Sequence, residues 1–423
     1  MDPVTGPTTL SVAEALSIVL NGVSRLPAER VPLLAALGRV LAEPIQAADD
    51  LPPFANSAMD GYALRSGDVA AEFAAGPVSL QVVADLAAGE QSEVVIGPGQ
   101  AARIMTGAPL PQGADTIVPV EDTSEAWRGR DRAAPERIEI RRFPERGDFV
   151  RPAGEDIRRG STVLAAGHLI RPQEIGLLAA LGVSEAPVIK RPRVGVLATG
   201  DELLPIDRPL APGKIRNSNA YAQAAQVLAL GATPVDLGVA RDDETSLRDR
   251  LRAGLELEVD LFVSSAGVSV GAHDVVKSVL EQDGEIIFWR VRMRPGKPLT
   301  FGRYGGRAYL GLPGNPVSAL VAFERFARPA ILKLAGHTDL ARPTVEAVVD
   351  AGLHSDGRES YVRAVVRRDG EGYAATPTGA QGSHMLTSLV AANALLVIPA
   401  GVESVSAGER LAAVMLDWPE TVF

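Results

Sequence analysis

From about residue 191 to residue 336 the chain repeats one pattern: an apolar run of strand length, a small or polar loop, then an amphipathic helical run. The strand-like runs are RVGVLATG (193–200), TPVDLGVA (233–240), DLFVSSAG (260–267) and RAYLGLPG (307–314). The helical runs are NAYAQAAQVLALG (219–231), ETSLRDRLRAGLE (244–256), HDVVKSVLEQDG (273–284) and the long PVSALVAFERFARPAILKLAG (316–336). Apolar strands that alternate with helices need cover on both faces, so this region is expected to be a doubly wound parallel α/β domain.

The flanks read differently. Residues 9–23 form a helical pattern that Thr9 or Ser11 can cap, with Ala13, Leu16, Val19 and Leu20 on one face. Residues 78–142 alternate short β-rich runs with Gly/Pro turns, and 124–136 reads as a solvated hairpin loop. RPQEIGLLAALGV then gives a short helix closed by Gly182. After a GHTDLARP linker, residues 344–423 are short β runs, a small barrel or sandwich. The expected parts are a discontinuous, elongated helical and strand domain (1–50 plus 146–188), an inserted β-rich domain (51–145), the α/β domain (189–336) and a C-terminal β-barrel domain (337–423).

Composition removes several classes of chemistry. The 423 residues include no cysteine, which excludes disulfides, thiol nucleophiles, cysteine zinc sites and iron–sulfur clusters. The five histidines (168, 273, 337, 354 and 384) lack paired ligand spacing, so any metal is expected to be a hard cation held by oxygen. A net charge of −10 and 4% aromatics argue against a nucleic-acid partner. No run of 18 apolar residues and no targeting segment is present, so a cytoplasmic protein without membrane contact is expected.

In open α/β sheets, ligands bind beyond the carboxyl ends of the strands. Those positions here hold Asp201 and Glu202, then Arg241, Asp242 and Asp243, then the GVSVGAHD loop with Gly267, Ser269, Gly271 and Asp274, and finally Gly314, Asn315 and Ser318. Small residues and acids at four strand ends point to one crevice. The glycines of GVSVGAHD let backbone N–H groups approach a phosphate at a helix N-terminus, although a plain turn with Asp274 as helix cap fits the same local spacing. Neither GxxxxGK[ST] nor GxGxxG follows the first strand, so a P-loop ATPase and a dinucleotide fingerprint are both unsupported. Glu202, Asp242 and Asp274 have the chemistry to hold Mg²⁺ against a nucleotide's phosphates. RMRPGKPLTFG (292–302) gathers Arg292, Arg294 and Lys297 around Pro295 and Gly296, a stiffened cationic turn suited to a tetrahedral oxyanion. Asp60, in SAMDGY, reads by composition as a local turn former.

These motifs run in order with PPFANSAMDGYAL (52–64), ARIMTGAPLPQGADTIVPVED (102–122), VRPAGEDI (150–157), VLATGDEL (196–203), GLPGNPVSALVAFERF (311–326) and QGSHMLTSL (381–389). Together they resemble the bacterial molybdopterin molybdenumtransferase family, and they are similar to the C-terminal domain of gephyrin. The resemblance implies a Mg²⁺-dependent reaction in which adenylylated molybdopterin and molybdate give the molybdenum cofactor, AMP and water. It implies Asp60, Glu202, Asp242, Asp274 and Lys297 as catalytic groups, with Glu202 and Asp274 at the metal. It implies substrate contacts from Thr106, Gly267, Ser269, Gly271, Arg294, Pro295, Lys297, Ser318, Arg358 and Ser383, with Arg363 a rival to Arg358. It also implies a homodimer in which Asp60 and Thr106 act across the dimer.

Three positions depart from the family's usual pattern. Arg294 stands where Lys is common, and it replaces a point charge with a planar fork. His273 precedes Asp274 where an acid or small residue is more usual, and Ala55 replaces a common Asp. Two other readings are a non-catalytic scaffold of gephyrin-like fold and the neighbouring molybdopterin adenylyltransferase. The retained Asp60, Glu202, Asp274 and Lys297 favour the enzyme over the scaffold. The additional β-rich and C-terminal regions argue against the adenylyltransferase.

Overall fold

The structure, a computed structural model, describes residues 9–73, 76–90, 92–125, 133–265 and 275–418. The chain divides into two compact units. One comprises Met1–Val31, Ala36–Ala42 and Pro187–Phe423, and the other Pro32–Ala35 and Glu43–Ala186.

The first unit opens with helix α1 (Val12–Asn21). Ser11 caps it reciprocally with Glu14: the Glu14 amide donates to Ser11 Oγ (3.3 Å) and the Ser11 amide to Glu14 Oε2 (2.8 Å). Its buried stripe is Val12, Ala15 and Val19. Ala13 is exposed, and Leu16 and Leu20 lie at the margin, so the buried face is rotated from the expected one.

The α/β sheet follows. Its strands are β1 (Arg193–Thr199), β2 (Thr233–Ala240), β3 (Leu261–Ser265), β4 (Gly284–Arg290), β6 (Pro298–Tyr304) and β7 (Arg307–Leu312), with the short β5 (Met293–Arg294) between β4 and β6. The spatial order is β2-β1-β3-β7-β6-β4. The β2-β1-β3-β7 core is parallel, as expected. β6 and β4 extend it antiparallel, two strands the sequence pattern does not announce. The connections between parallel strands carry α2 (Ser218–Ala229), α3 (Glu244–Glu256) and α4 (Val275–Asp283).

Val194, Val196, Leu261, Val263 and Leu310 face one core with α1 and the helix that follows β7. Leu197, Phe262 and Tyr309 face the other, against Leu247 and Leu251 of α3 and Val276 and Val279 of α4. This two-sided burial is why the centre of β1 and the start of β3 read as apolar runs. The helix after β7 is not continuous. α5 (Pro316–Ala322) passes through a π-helical turn (Phe323–Ala327) into α6 (Arg328–Leu334). Pro329 is the physical reason, since it lacks an amide proton and its ring crowds the carbonyl four residues earlier.

The C-terminal part is a closed five-stranded barrel, which settles the barrel-or-sandwich alternative. β8 (Thr344–Val349), β9 (Glu359–Asp369), β10 (Gly372–Pro377), β11 (Ala394–Ile398) and β12 (Arg410–Met415) run in the order β9-β10-β8-β12-β11, and β11 pairs back onto β9. Small residues such as Ala347, Ala364, Ala375 and Ala413 allow so narrow a barrel to fill its interior. β5 adds to this barrel in parallel with β9, through Met293↔Glu359 and Arg294↔Ser360. That pairing carries the Arg-Pro-Gly-Lys turn from the α/β sheet to the barrel rim.

The second unit is built on a five-stranded sheet in the order Thr116–Pro119, Gly61–Leu64, Gln100–Ile104, Val78–Leu86, Arg137–Ile140. Apolar side chains cover both of its faces, with Tyr62, Leu64 and Leu80 on one and Ala63, Ile104 and Ile117 on the other. Residues 126–132 of the expected hairpin loop lie outside the described residues. Among the described residues no helix is long and apolar enough to cross a membrane.

Candidate functional site

The parallel strands end along one edge of the sheet. β1 closes on Thr199, which is 3% exposed and whose hydroxyl has no hydrogen-bond partner among the described residues. Gly200 follows at φ +143°, and a Cβ there would overlap the Glu202 carboxylate, which folds back over it. The Glu202 carbonyl accepts from the Ile215 amide (2.9 Å). The Asp242 carboxylate, beyond β2, accepts from the Asp201 amide at 3.3 Å. Asp243 caps α3 by accepting from the Ser246 amide (2.8 Å), so it is already occupied. Glu202 and Asp242 therefore stand at the ends of adjacent strands. The GVSVGAHD positions Gly267, Ser269, Gly271 and Asp274 lie outside the described residues.

Two asparagines fix this edge, and the second ties it to the C-terminal part. Asn219 in the first turn of α2 donates to the Gly314 carbonyl (2.8 Å). Next to it, Asn315 donates to Ser383 Oγ (3.0 Å), and the Val317 amide donates to the Ser383 carbonyl (3.0 Å). Between the strand ends and the barrel rim lies a cavity of about 670 Å³. Arg294, Pro295, Lys297, Arg358, Arg363, Ser318 and Ser383 line it together with Asn315 and His354, and among the described residues no carboxylate does. It thus brings together Arg294, Pro295 and Lys297 of the cationic turn, Ser318 of α5, and Arg358 and Ser383 of the C-terminal part; Arg292 of the same turn is exposed and does not line it.

Each cation is held by a different device. Arg294 and Lys297 flank Pro295 and Gly296, where φ is +108° and the Val291 amide closes the turn by donating to the Lys297 carbonyl (3.1 Å). Arg358 donates to the Met293 carbonyl (2.9 Å) and, through Nε, to the Asp356 carboxylate (3.0 Å). The Arg358 guanidinium in turn draws the Asp356 carboxyl down to about 2. Arg363, only 1% exposed, is the rival that the cavity also admits. Its Nε donates to Ser388 Oγ (3.1 Å) and its Nη2 to the carbonyls of Ala380 (3.3 Å) and Gly382 (3.1 Å). No carboxylate pairs with it among the described residues, and burial pushes its pKa down from the usual guanidinium range. Gln381, which accepts from the Arg363 amide (2.9 Å), lines the same cavity and was not flagged by its sequence.

In the second unit, Asp60 Oδ1 accepts from both the amide and the hydroxyl of Thr106, each at 2.7 Å. The two residues singled out there are thus direct partners. The bond spans 46 positions, so Asp60 is not the local turn former its composition suggests.

Among the described residues, no group of three or more acid or imidazole side chains is arranged to hold a metal ion. The oxygen ligands that the described strand ends offer are carboxylates and hydroxyls, all hard.

The chain matches three family models in succession: the MoeA N-terminal region (domain I and II) over residues 10–182, a probable molybdopterin binding domain over 195–333, and the MoeA C-terminal region (domain IV) over 346–416. A Nostoc sp. protein named molybdopterin molybdenumtransferase is 40% identical over 417 residues, covering 96% of this chain and 94% of the relative. A Bacillus subtilis protein of the same name is 35% identical over 428 residues, covering 98% and 97%. The crystal structure of a molybdopterin biosynthesis MoeA protein from Pyrococcus horikosii aligns with a TM-score of 0.83 at 31% identity, over 97% of this chain and 100% of that one.

Proposed function

Since the chain belongs to the molybdopterin molybdenumtransferases, a family of transferases in molybdenum cofactor biosynthesis, we propose that it inserts molybdate into adenylylated molybdopterin, with Mg²⁺, and releases AMP and water. One observation carries this reading: the cavity gathers Arg294, Lys297, Arg358 and Arg363 with hydroxyl and amide donors and, among the described residues, no lining acid. Molybdate is a tetrahedral dianion. It needs several convergent donors, each charge-assisted bond contributing about 1.5–3 kcal/mol. The cavity is larger than an oxyanion requires, which leaves room for the pterin. The soft dithiolene sulfurs that take the metal belong to the substrate, in accord with a chain that has no cysteine.

The strand-end acids support the other half. Magnesium commonly takes one or two carboxylates and completes its shell with substrate phosphates and water. The donor chemistry fits: Glu202 is a hard oxygen ligand, Asp274 would be the second, and Asp242 adds negative charge nearby. When bound, the cation neutralises charge on the phosphates. Lys297 comes just before β6, and β6 is separated from β1 by β7 and β3. Three strand spacings make roughly 14 Å, a span suited to one ligand with a phosphate group at one end and a dithiolene at the other.

In this reading Arg294, Lys297, Arg358 and Ser383 bind and orient molybdate, and Ser318 and Pro295 shape the pocket. Arg363 acts as a positioning residue by fixing the backbone of the Ala380–Gly382 turn. Gly267, Ser269 and Gly271 offer backbone and hydroxyl donors to the phosphates. The cytoplasm is the proposed compartment. We further propose a homodimer in which Asp60 and Thr106 complete the partner's site. Support comes from the apolar side chains exposed on the first unit, Tyr221 and Leu228 two turns apart on α2 and Ile206, Leu210 and Ile215 on the neighbouring loop, which suit burial against a second copy.

The decisive assay supplies the full chain with adenylylated molybdopterin, molybdate and Mg²⁺ and scores AMP and cofactor together. Equal, molybdate-dependent yields are expected. The absence of both products would return the chain to the scaffold reading. Heterodimers of Asp60→Ala and Asp274→Ala chains, each inactive alone, should recover part of the activity. No recovery in verified heterodimers would place the whole site within one chain.

A further inference from the structure

The β1 terminus holds a polar group that the packing leaves unspent. Thr199 is 3% exposed and its hydroxyl makes no hydrogen bond among the described residues. Buried hydroxyls are ordinarily partnered, and an unsatisfied one destabilises the fold. The same face of the sheet contains a pair that follows the rule, Ser264 Oγ with Tyr309 Oη at 2.6 Å.

The position of Thr199 is specific. Side chains alternate along a strand, so Thr199 shares the face of Leu197, which packs against Leu247 and Leu251 of α3. Thr199 pairs in register with Ala240, two residues before Asp242. Asp242 in turn reaches back to the amide of Asp201, two residues after Thr199. The unpartnered hydroxyl therefore sits on the last residue of the strand that leads to Glu202, beside the strand that leads to Asp242.

We infer that Thr199 is a ligand-binding residue, whose hydroxyl hydrogen-bonds an oxygen of the cation–phosphate group, either a phosphate oxygen or a water on the cation. The inference rests on the proposed Mg²⁺–nucleotide reading of the strand ends and adds a residue to it. The hydroxyl stays unsatisfied until ligand arrives, so the fold bears an energetic penalty at a position where the ligand relieves it.

Thr199→Val tests this, because valine keeps the shape and removes only the hydroxyl. The probe is Mn²⁺ with AMP, followed by the electron paramagnetic resonance signal of free Mn²⁺, on the full chain. Thr199→Val is expected to keep or raise Tm and to weaken AMP-dependent Mn²⁺ binding about tenfold. Thr199→Ser, which keeps the hydroxyl, should restore most of the affinity even if its packing is poorer. Thr300 supplies the control: it is fully buried, also unpartnered, and lies on β6 within the sheet. Thr300→Val should leave Mn²⁺ binding unchanged.

Unchanged affinity in Thr199→Val overturns the inference while leaving the functional reading intact. So does an equal loss in Thr199→Ser or in Thr300→Val, either of which would mark a packing effect. Failure of the wild-type chain to take up Mn²⁺ with AMP overturns the strand-end reading itself.

Discussion

The two ends of the proposed site are built in opposite ways. At the barrel rim the cations are set before any ligand arrives: Arg358 is tied to Asp356 and the Met293 carbonyl, and Arg363 to two carbonyls and Ser388. Such preorganisation means little is lost in ordering them around an anion. At the strand ends, Glu202 lies against bare backbone at Gly200 and Asp242 accepts one long bond of 3.3 Å. Gathered carboxylates repel one another, and the cation shown bonded there, Lys214, donates to the Asp201 carbonyl (2.6 Å). In the proposed reading, the protein alone makes the anion pocket at the rim, while the strand-end pocket is finished by its cation and substrate.

The largest expected effect breaks the second half of that contrast. Asp274→Ala should retain the wild-type Tm and lose molybdate-dependent AMP release on the order of a hundredfold or more. Normal turnover would remove Asp274 from the mechanism and leave the strand ends without their second metal ligand. Next in size, Lys297→Ala should raise the KM for molybdate roughly tenfold or more, the cost of one charge-assisted bond, with nucleotide affinity nearly unchanged. Equal losses for both ligands would mean that the two pockets are not separable.

How far the sequence carried can be judged from particular elements. The parallel core was legible because β1 and β3 are buried on both faces and so carry apolar runs. β4 escaped because GEIIFWR is mostly half-exposed. β6 escaped because PLTFGRY begins inside a turn that draws the eye for its charges. The rule of strand carboxyl ends picked out Glu202, Asp242, Asn315 and Ser318 as candidates without any structure. It could not find Gln381, nor choose between Arg358 and Arg363, because both depend on β5 pairing with a strand far along the chain. Thr199 carried no signal at all: a threonine in an apolar strand reads simply as a good strand former.

The smallest effect concerns the tether of Arg358. Hydrogen bonds from Arg358 lower the Asp356 carboxyl from its ordinary 3.8 to about 2. A carboxyl depressed in the folded state adds stability that is fully present above its unfolded value and disappears as pH falls through its folded one. The contribution should therefore be constant above about pH 4 and be lost towards pH 2. Both side chains are partly exposed, so solvent screening holds it below about 1 kcal/mol. Asp356→Asn should lower Tm slightly at neutral pH, and the difference from wild type should close as pH approaches 2. At neutral pH the same variant leaves Arg358 bonded to the Met293 carbonyl. Its KM for molybdate should then rise by less than that of Lys297→Ala. A rise as large as that of Lys297→Ala would mean that the tether, and not the number of cations, sets the affinity of the rim.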